Sequence, residues 1–138
     1  MVYNSLVLPY LSYCNLVWAC NSENKLNSLT VLQKRAVRNI VKADYRAHSS
    51  PLLKKLELLK VTDIHCFQTA FFMFKFSQFQ LPCKFNDYFS HVSSVHQYIT
   101  RNSALAFMLP FCRTTMRQKC IRYQGPFIWN NLPSDIKL

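Results

Sequence analysis

Acidic residues and glycine are both scarce in this chain of 138 residues, which contains six Asp and Glu and a single Gly. One glycine cannot build a glycine-rich phosphate loop, so Walker-type and dinucleotide-binding motifs are excluded. The acids stand singly, with no adjacent pair and no D-x-D, whereas magnesium-dependent phosphoryl transfer needs carboxylates that converge on the ion. We therefore expect the acids to act as helix caps and ion-pair partners, and the chain not to be an enzyme by itself.

Metal-binding and disulfide signatures are also missing. The six cysteines form no C-x-x-C pair, and the four histidines do not stand at zinc-ligand spacing from any two of them. Most cysteines have apolar neighbours and we expect no secretory leader, so the prediction is reduced, buried thiols in a nuclear or cytoplasmic protein. His65 and Cys66 are a conceivable nucleophile pair, but neighbours on a helix point about 100° apart. The sequence thus predicts no metal and no cofactor in this chain.

The N-terminal stretch from Val2 to Cys20 is apolar enough to suggest a membrane span. A bilayer-spanning helix needs about 20 predominantly apolar residues, and here polar side chains and Pro9 interrupt the run. The pattern instead predicts two short core helices joined at Pro9. We therefore expect no membrane partner.

Helical periodicity dominates the first 80 residues, in a chain that is 50% apolar and 14% aromatic. It predicts three helices after residue 20, the third rich in Phe and wrapped by neighbours on most sides. Their expected starts and ends are Asn21 or Ser22 to about Val41, Ser49 or Ser50 with Pro51 to about Leu58, and a cap at Thr62 followed by a longer helix.

Periodicity weakens after Pro82. Residues 90–103 are predicted to form a loop, while ALAFMLPF (104–111) and KCIRYQ (119–124) are candidates for the two strands of a short β-hairpin. Gly125 and Pro126 are expected to interrupt regular secondary structure, and Pro133 is expected to end a short helical turn. The fold class is therefore mainly α. Residues 1–80 form a helical region, and an irregular C-terminal region, 81–138, packs on it to give one compact unit.

Positive charge is the strongest functional signal, because 17 Lys and Arg leave a formal net charge of +11. An excess of this size is typical of proteins that bind nucleic acid or an anionic membrane surface. In LTVLQKRAVRNIVK (29–42), apolar residues that include Leu32 are predicted on one side of a helix and four bases on the other. The alternative, an inert solvated face, is less favoured because more bases follow and few acids can neutralise them.

Two groups of candidate nucleic-acid-binding residues result, together with tyrosines that lie near bases. A basic helix face can meet successive phosphates without reading base identity. Tyr45, Tyr98 and Tyr123 are candidates for stacking on exposed nucleotides, although packing is their default interpretation. The basic face comprises Lys34, Arg35, Arg38, Lys42 and Arg46, and the possible second basic cluster comprises Arg113, Arg117, Lys119 and Arg122.

Five segments follow one another in a characteristic order: LVLPYLSYCNLVWA (6–19), LQKRAVRNI (32–40), YRAHSSPLLKKLELL (45–59), YITRNS (98–103) and RYQGPFIWNNLPSDIK (122–137). Together they resemble the C-terminal part, thumb and post-thumb, of reverse transcriptases encoded by non-LTR, LINE-type (jockey-like) retrotransposons. The resemblance implies that the basic face belongs to a thumb and holds the backbone of an RNA–DNA hybrid or DNA duplex. The palm, with its F/Y-x-D-D aspartates and Mg²⁺, would lie upstream of Met1, so no catalytic residue is carried over and a truncated gene copy or fragmentary gene model is expected.

A second hypothesis needs no nucleic acid. Apolar surface in excess of one small core predicts a helical protein–protein interaction module, whose N-terminal segment and Phe-rich helix dock onto another protein. Separately, the resemblance implies the upstream polymerase domains as a further expected partner of the chain.

Overall fold

The structure, a computed structural model, describes residues 2–20, 23–95 and 106–137. These residues are mainly helical, which confirms the predicted fold class. The predicted caps Asn21 and Ser22, and Tyr98, lie outside the described residues. The helices are α1 Val2–Leu6, α2 Leu8–Ser12, α3 Asn15–Trp18, α4 Glu23–Val41, α5 Ser49–Lys55, α6 Val61–Ser77, α7 Val92–Val95, α8 Thr115–Lys119, α9 Ile121–Asn131 and α10 Ser134–Lys137, with a 3₁₀ turn at Cys83–Phe85.

The chain divides into two compact units, Met1–Phe67 (unit 1) and Gln68–Leu138 (unit 2), and the division falls within α6. The sequence-based division after residue 80, and the packing of both parts into one compact unit, stay predictions. Of the helices in the described ranges, none has the length and apolar character needed to cross a bilayer.

The N-terminal helices of unit 1 bury one side against α4, α5 and the start of α6. Tyr3 packs with Val37 and Leu53, while Leu11 packs with Val61 and Ile64. The interruption between α1 and α2 lies at Val7, not at Pro9 as predicted. Pro9 lacks the N–H that would bond one turn back, so it occupies the first turn of α2, where that N–H is not needed.

Gln33 of α4 is buried at the centre of unit 1, with 2% of its surface exposed. Its Nε2 donates to the Tyr3 hydroxyl at 2.6 Å and to the Leu59 carbonyl at 2.8 Å, and its Oε1 accepts from the Val61 N–H at 3.2 Å. The start of α6 is therefore capped by a side chain from 28 residues earlier. The predicted cap, Thr62, instead donates its hydroxyl to the Asp63 carboxylate at 3.2 Å.

Three helices end on a residue with left-handed backbone, namely Lys42 (φ 55°), Glu57 (φ 54°) and Phe79 (φ 54°). At the end of α4, Ala43 N–H donates to the Arg38 carbonyl at 3.0 Å and Lys42 N–H to the Asn39 carbonyl at 3.2 Å. This pair of bonds is the Schellman motif, which usually places glycine at the left-handed position. Because the chain has one glycine, these ends carry side chains instead, at a cost of about 1–2 kcal/mol each.

Unit 2 is built around an aromatic core of Met73, Phe89, Phe107 and Trp129. The Phe76 ring meets those of Phe89 and Phe107 edge-on, at centroid separations of 5.0 and 5.5 Å. The Asn130 side chain of α9 holds the backbone of Phe107 from both directions, accepting from its N–H at 3.0 Å and donating to its carbonyl at 2.8 Å. An extended segment is thereby fixed against a helix.

The predicted hairpin is wrong in its second strand, because residues 121–124 of KCIRYQ begin α9. The strand pairing within the described residues is one isolated antiparallel bridge between His91 and Phe107. Gly125 and Pro126 also lie inside α9 rather than interrupting it. Gly125 instead allows the Met73 side chain to pack close to the α9 backbone, since a Cβ at this position would lie 2.7 Å from the Met73 sulfur.

Candidate nucleic-acid interface

The buried and exposed sides of α4 differ from the prediction at Leu32. Val37 and Gln33 point into unit 1, whereas Leu32, predicted on the apolar side, is 57% exposed. The Gln33 side chain therefore faces the interior of unit 1, where the apolar pattern had placed Leu32. The bases on the other sides of α4 therefore share their surface with an exposed aliphatic side chain.

All five residues of the basic face lie on the last two turns of α4 or in the turn that follows it. Arg35, Lys42 and Arg46 are exposed, while Lys34 and Arg38 are partly buried. Lys34 and Arg38 are four residues apart on α4, the spacing of neighbours on a helix surface, and Lys42 follows the end of the helix with left-handed backbone. The structure thus brings the sequence-derived candidates together, with the exposed acid Asp44 between Lys42 and Arg46 in the chain.

Arg38 has a structural contact that the sequence did not indicate. Its Nε–H donates to the Ala47 carbonyl at 2.8 Å, and the Ala47 N–H in turn donates to the Asp44 carbonyl at 2.9 Å. The guanidinium therefore ties the turn between α4 and α5 to the helix. A substitution of Arg38 would change both the charge and the position of this turn.

A cavity of about 470 Å³ lies where the turn meets the helix, lined by Arg35, Arg38, Asn39, Ala43 and Tyr45. Tyr45 is 71% exposed, so the default interpretation of this residue as packing is wrong. The remaining tyrosine candidate in the described chain differs. Tyr123 is partly buried and stacks on Phe127, with 6.2 Å between ring centroids and 13° between planes.

The second basic cluster belongs to unit 2 and is spread over three elements. Arg117 and Lys119 lie in α8, Arg122 in α9, and Arg113 precedes α8. Two of these guanidinium groups lie over aromatic rings, Arg113 at 6.0 Å from the Phe111 centroid and Arg122 at 5.6 Å from that of Tyr88. These are cation–π contacts, which hold the charge at the surface without neutralising it.

The cysteines are not buried as predicted, because Cys14, Cys66, Cys83 and Cys120 are exposed and Cys20 and Cys112 partly so; all six are free thiols. Apolar neighbours in sequence do not decide which side of a helix or turn a residue occupies. In the described parts of the chain, no group of three or more His, Cys, Asp or Glu side chains could hold a metal ion.

His65 and Cys66 do not assemble as a nucleophile and its base. His65 Nδ1 lies 2.9 Å from the Asn15 side-chain oxygen, and burial lowers the pKa of its imidazole. The pKa of the Cys66 thiol is raised by desolvation and, secondarily, by the Asp63 carboxylate. Both effects disfavour the thiolate, which is the nucleophilic form of cysteine. That the chain is not an enzyme nevertheless stays a prediction.

An apolar surface runs along the outer side of α1, α2 and α3. Its members lie opposite the buried Tyr3, Leu11 and Asn15, and each has more than half of its surface exposed. This N-terminal stripe consists of Val2, Leu6, Tyr10, Tyr13 and Val17. Isolated exposed apolar residues are ordinary, but several that recur every three or four residues are typical of an interaction surface.

Comparisons with protein-family models, with curated proteins and with solved structures found no match to this chain. The resemblance to LINE-type reverse transcriptases therefore stays a prediction that rests on its five sequence segments.

Proposed function

We propose that this chain binds the phosphate backbone of nucleic acid through the basic face, as a non-catalytic piece that resembles the thumb of a LINE-type reverse transcriptase. The observation that supports the proposal is the grouping of Lys34, Arg35, Arg38, Lys42 and Arg46 on one helix end and its turn. Positive side chains at this spacing neutralise successive phosphates and release bound counterions. Such contacts position a nucleic acid without reading its sequence.

The test is a fluorescence-anisotropy titration of the full chain with a labelled RNA–DNA hybrid and a DNA duplex, over a series of salt concentrations. The informative variant combines Lys34→Gln, Arg35→Gln and Lys42→Gly, with glycine chosen because Lys42 has left-handed backbone. Arg38 is kept because it holds the following turn. Each phosphate contact that is lost should reduce the slope of log K against log salt by about 0.7–0.9, so the triple variant should lose about 2–3.

The matched control removes the same number of charges from the exposed Lys54, Lys55 and Lys60 of unit 1, each changed to Gln. This control should leave most of the affinity and salt slope intact. Equal weakening by both triple variants would show that net charge, rather than the basic face, attracts the nucleic acid. Binding that does not depend on salt would contradict the proposal altogether.

The retrotransposon origin has a separate test, which is to sequence the genomic DNA and full-length transcript upstream of the codon for Met1. Sequence related to a reverse-transcriptase palm, intact or decayed, supports the origin and shows whether the chain is the tail of a polymerase or a stranded piece. A closed frame or unrelated non-coding sequence would make the chain a stranded piece, as a truncated gene copy is, whereas an unrelated protein encoded in the same frame would contradict the origin. In the first case Mg²⁺ would be held by the palm and not by this chain.

The exposed N-terminal stripe favours a second candidate function, a helical protein–protein interaction module. If the stripe joins copies of the chain, light scattering should show association that rises with concentration and is abolished by Leu6→Ser with Tyr10→Ser. A monomer at all concentrations would count against self-association. Loss of nucleic-acid binding in this double variant would contradict the assignment of binding to the basic face.

A further inference from the structure

Tyr45 presents an aromatic face beside the basic face. The ring lies in the turn between α4 and α5, is 71% exposed, and lines the cavity that Arg35 and Arg38 also line. The Arg38–Ala47 hydrogen bond of 2.8 Å ties the turn that carries Tyr45 to α4. An exposed ring in this position can accept the face of another planar group.

The cavity also has the chemistry that a single nucleotide requires. Arg35 and Arg38 supply guanidinium groups, which match phosphate oxygens in bidentate geometry. The exposed Asn39 amide both donates and accepts hydrogen bonds, as the edge of a nucleobase does. The volume of about 470 Å³ falls within the range of about 300–1,000 Å³ that is typical of small-ligand sites.

We propose that this cavity binds one unpaired nucleotide of single-stranded nucleic acid, an inference that rests on the proposed function. The cavity is lined by Arg35, Arg38, Asn39, Ala43 and Tyr45. The base stacks on Tyr45 and its phosphate lies against the arginines. In a duplex both faces of each internal base are covered by its neighbours, so the ring gains nothing from paired strands. The preferred ligand is therefore a single strand or an unpaired end, rather than the duplex backbone alone.

The experiment compares labelled single strands of about 12 nucleotides, one of RNA and one of DNA, with a duplex of the same sequence. The full-length chain is titrated as wild type and as Tyr45→Ala, Tyr45→Phe and Phe79→Ala. Tyr45→Ala should weaken single-strand binding by about 5- to 150-fold, the range measured for removal of one stacking ring, and leave duplex binding unchanged. Tyr45→Phe should retain single-strand affinity, because the ring remains.

Phe79→Ala is the control, since Phe79 is an exposed aromatic residue that belongs neither to the cavity nor to the N-terminal stripe. A strand that carries 2-aminopurine supplies a second measurement, because stacking on Tyr45 should quench its fluorescence and Tyr45→Ala should abolish the quenching. An effect confined to the RNA or to the DNA strand still supports the site and identifies the strand that it accepts.

Failure of this inference can be told apart from failure of the proposed function. If Tyr45→Ala changes single-strand and duplex binding equally, or changes neither, while the basic-face triple variant still weakens binding, the nucleotide site is refuted and the backbone interface stands. If the wild-type chain binds none of the probes in a salt-dependent way, both are refuted.

Discussion

Gln33 offers the sharpest test of how unit 1 is held together. In Gln33→Leu the helix keeps a good helix former of similar size, but three groups lose their partner: the Tyr3 hydroxyl, the Leu59 carbonyl and the Val61 N–H. Tyr3 and Val61 are fully buried, whereas Leu59 is half exposed, so we expect water to reach its carbonyl more easily. The main loss of stability therefore comes from the Tyr3 hydroxyl and the Val61 N–H.

The expected loss follows from these two groups. A buried polar group without a partner costs about 1–3 kcal/mol, and burying a leucine in place of an amide returns about 1–2 kcal/mol. The net loss in the free energy of unfolding is then about 2.5 kcal/mol. With a urea m-value of about 2 kcal/mol/M, the midpoint should fall by about 1 M.

The assay is urea unfolding followed by circular dichroism, together with hydrogen exchange at the Val61 amide, which should lose protection in Gln33→Leu. Asn27→Leu is the control, because it makes the same amide-to-leucine change at an exposed position of α4 and should shift stability by less than about 0.5 kcal/mol. Equal midpoints for the two variants, with Val61 still protected, would refute the idea that Gln33 caps α6.

Two further predictions concern the backbone and pH. Phe79 is 85% exposed with φ 54°, so Phe79→Gly should relieve left-handed strain of about 1–2 kcal/mol against an entropic cost of about 0.5–1, raising stability by about 0.5–1 kcal/mol. An equal gain from Phe79→Ala in the same urea experiment would exclude backbone strain as the cause. Burial lowers the pKa of His65, so the unfolded chain binds protons more readily: stability should be complete above about pH 6.5 and decline below it. His65→Gln should flatten this decline in thermal unfolding curves, and an unchanged pH profile would contradict the assignment.

The chain illustrates why helix positions are easier to predict than helix caps. The end of α4 at Val41 was predicted correctly, because apolar residues and bases alternate with helical spacing up to that point. The cap of α6 was not, because it comes from Gln33, 28 residues earlier. Gln33 stands among apolar residues at the inward side of α4, and this position was the available signal.

In the candidate interface, too, some features could be predicted from the sequence and others depend on the folded chain. Periodicity alone placed Lys34, Arg35 and Arg38 on neighbouring positions of α4, because a regular helix converts sequence spacing into spatial proximity. The contact from Arg38 to Ala47 and the exposure of Tyr45 depend on how the turn folds back on α4. Turn geometry of this kind arises from tertiary hydrogen bonds, which no local pattern specifies.

Composition and periodicity were sufficient for the mainly α fold, the positive charge and the grouping of the basic face, because these properties are local or additive along the chain. Side-chain burial and long-range pairing required the folded chain. The exposed cysteines, the pairing of Phe107 with His91, and the continuation of α9 through Pro126 are all decided by which segments pack together. Packing partners far apart in sequence compete with local propensity, and tertiary contacts routinely override it.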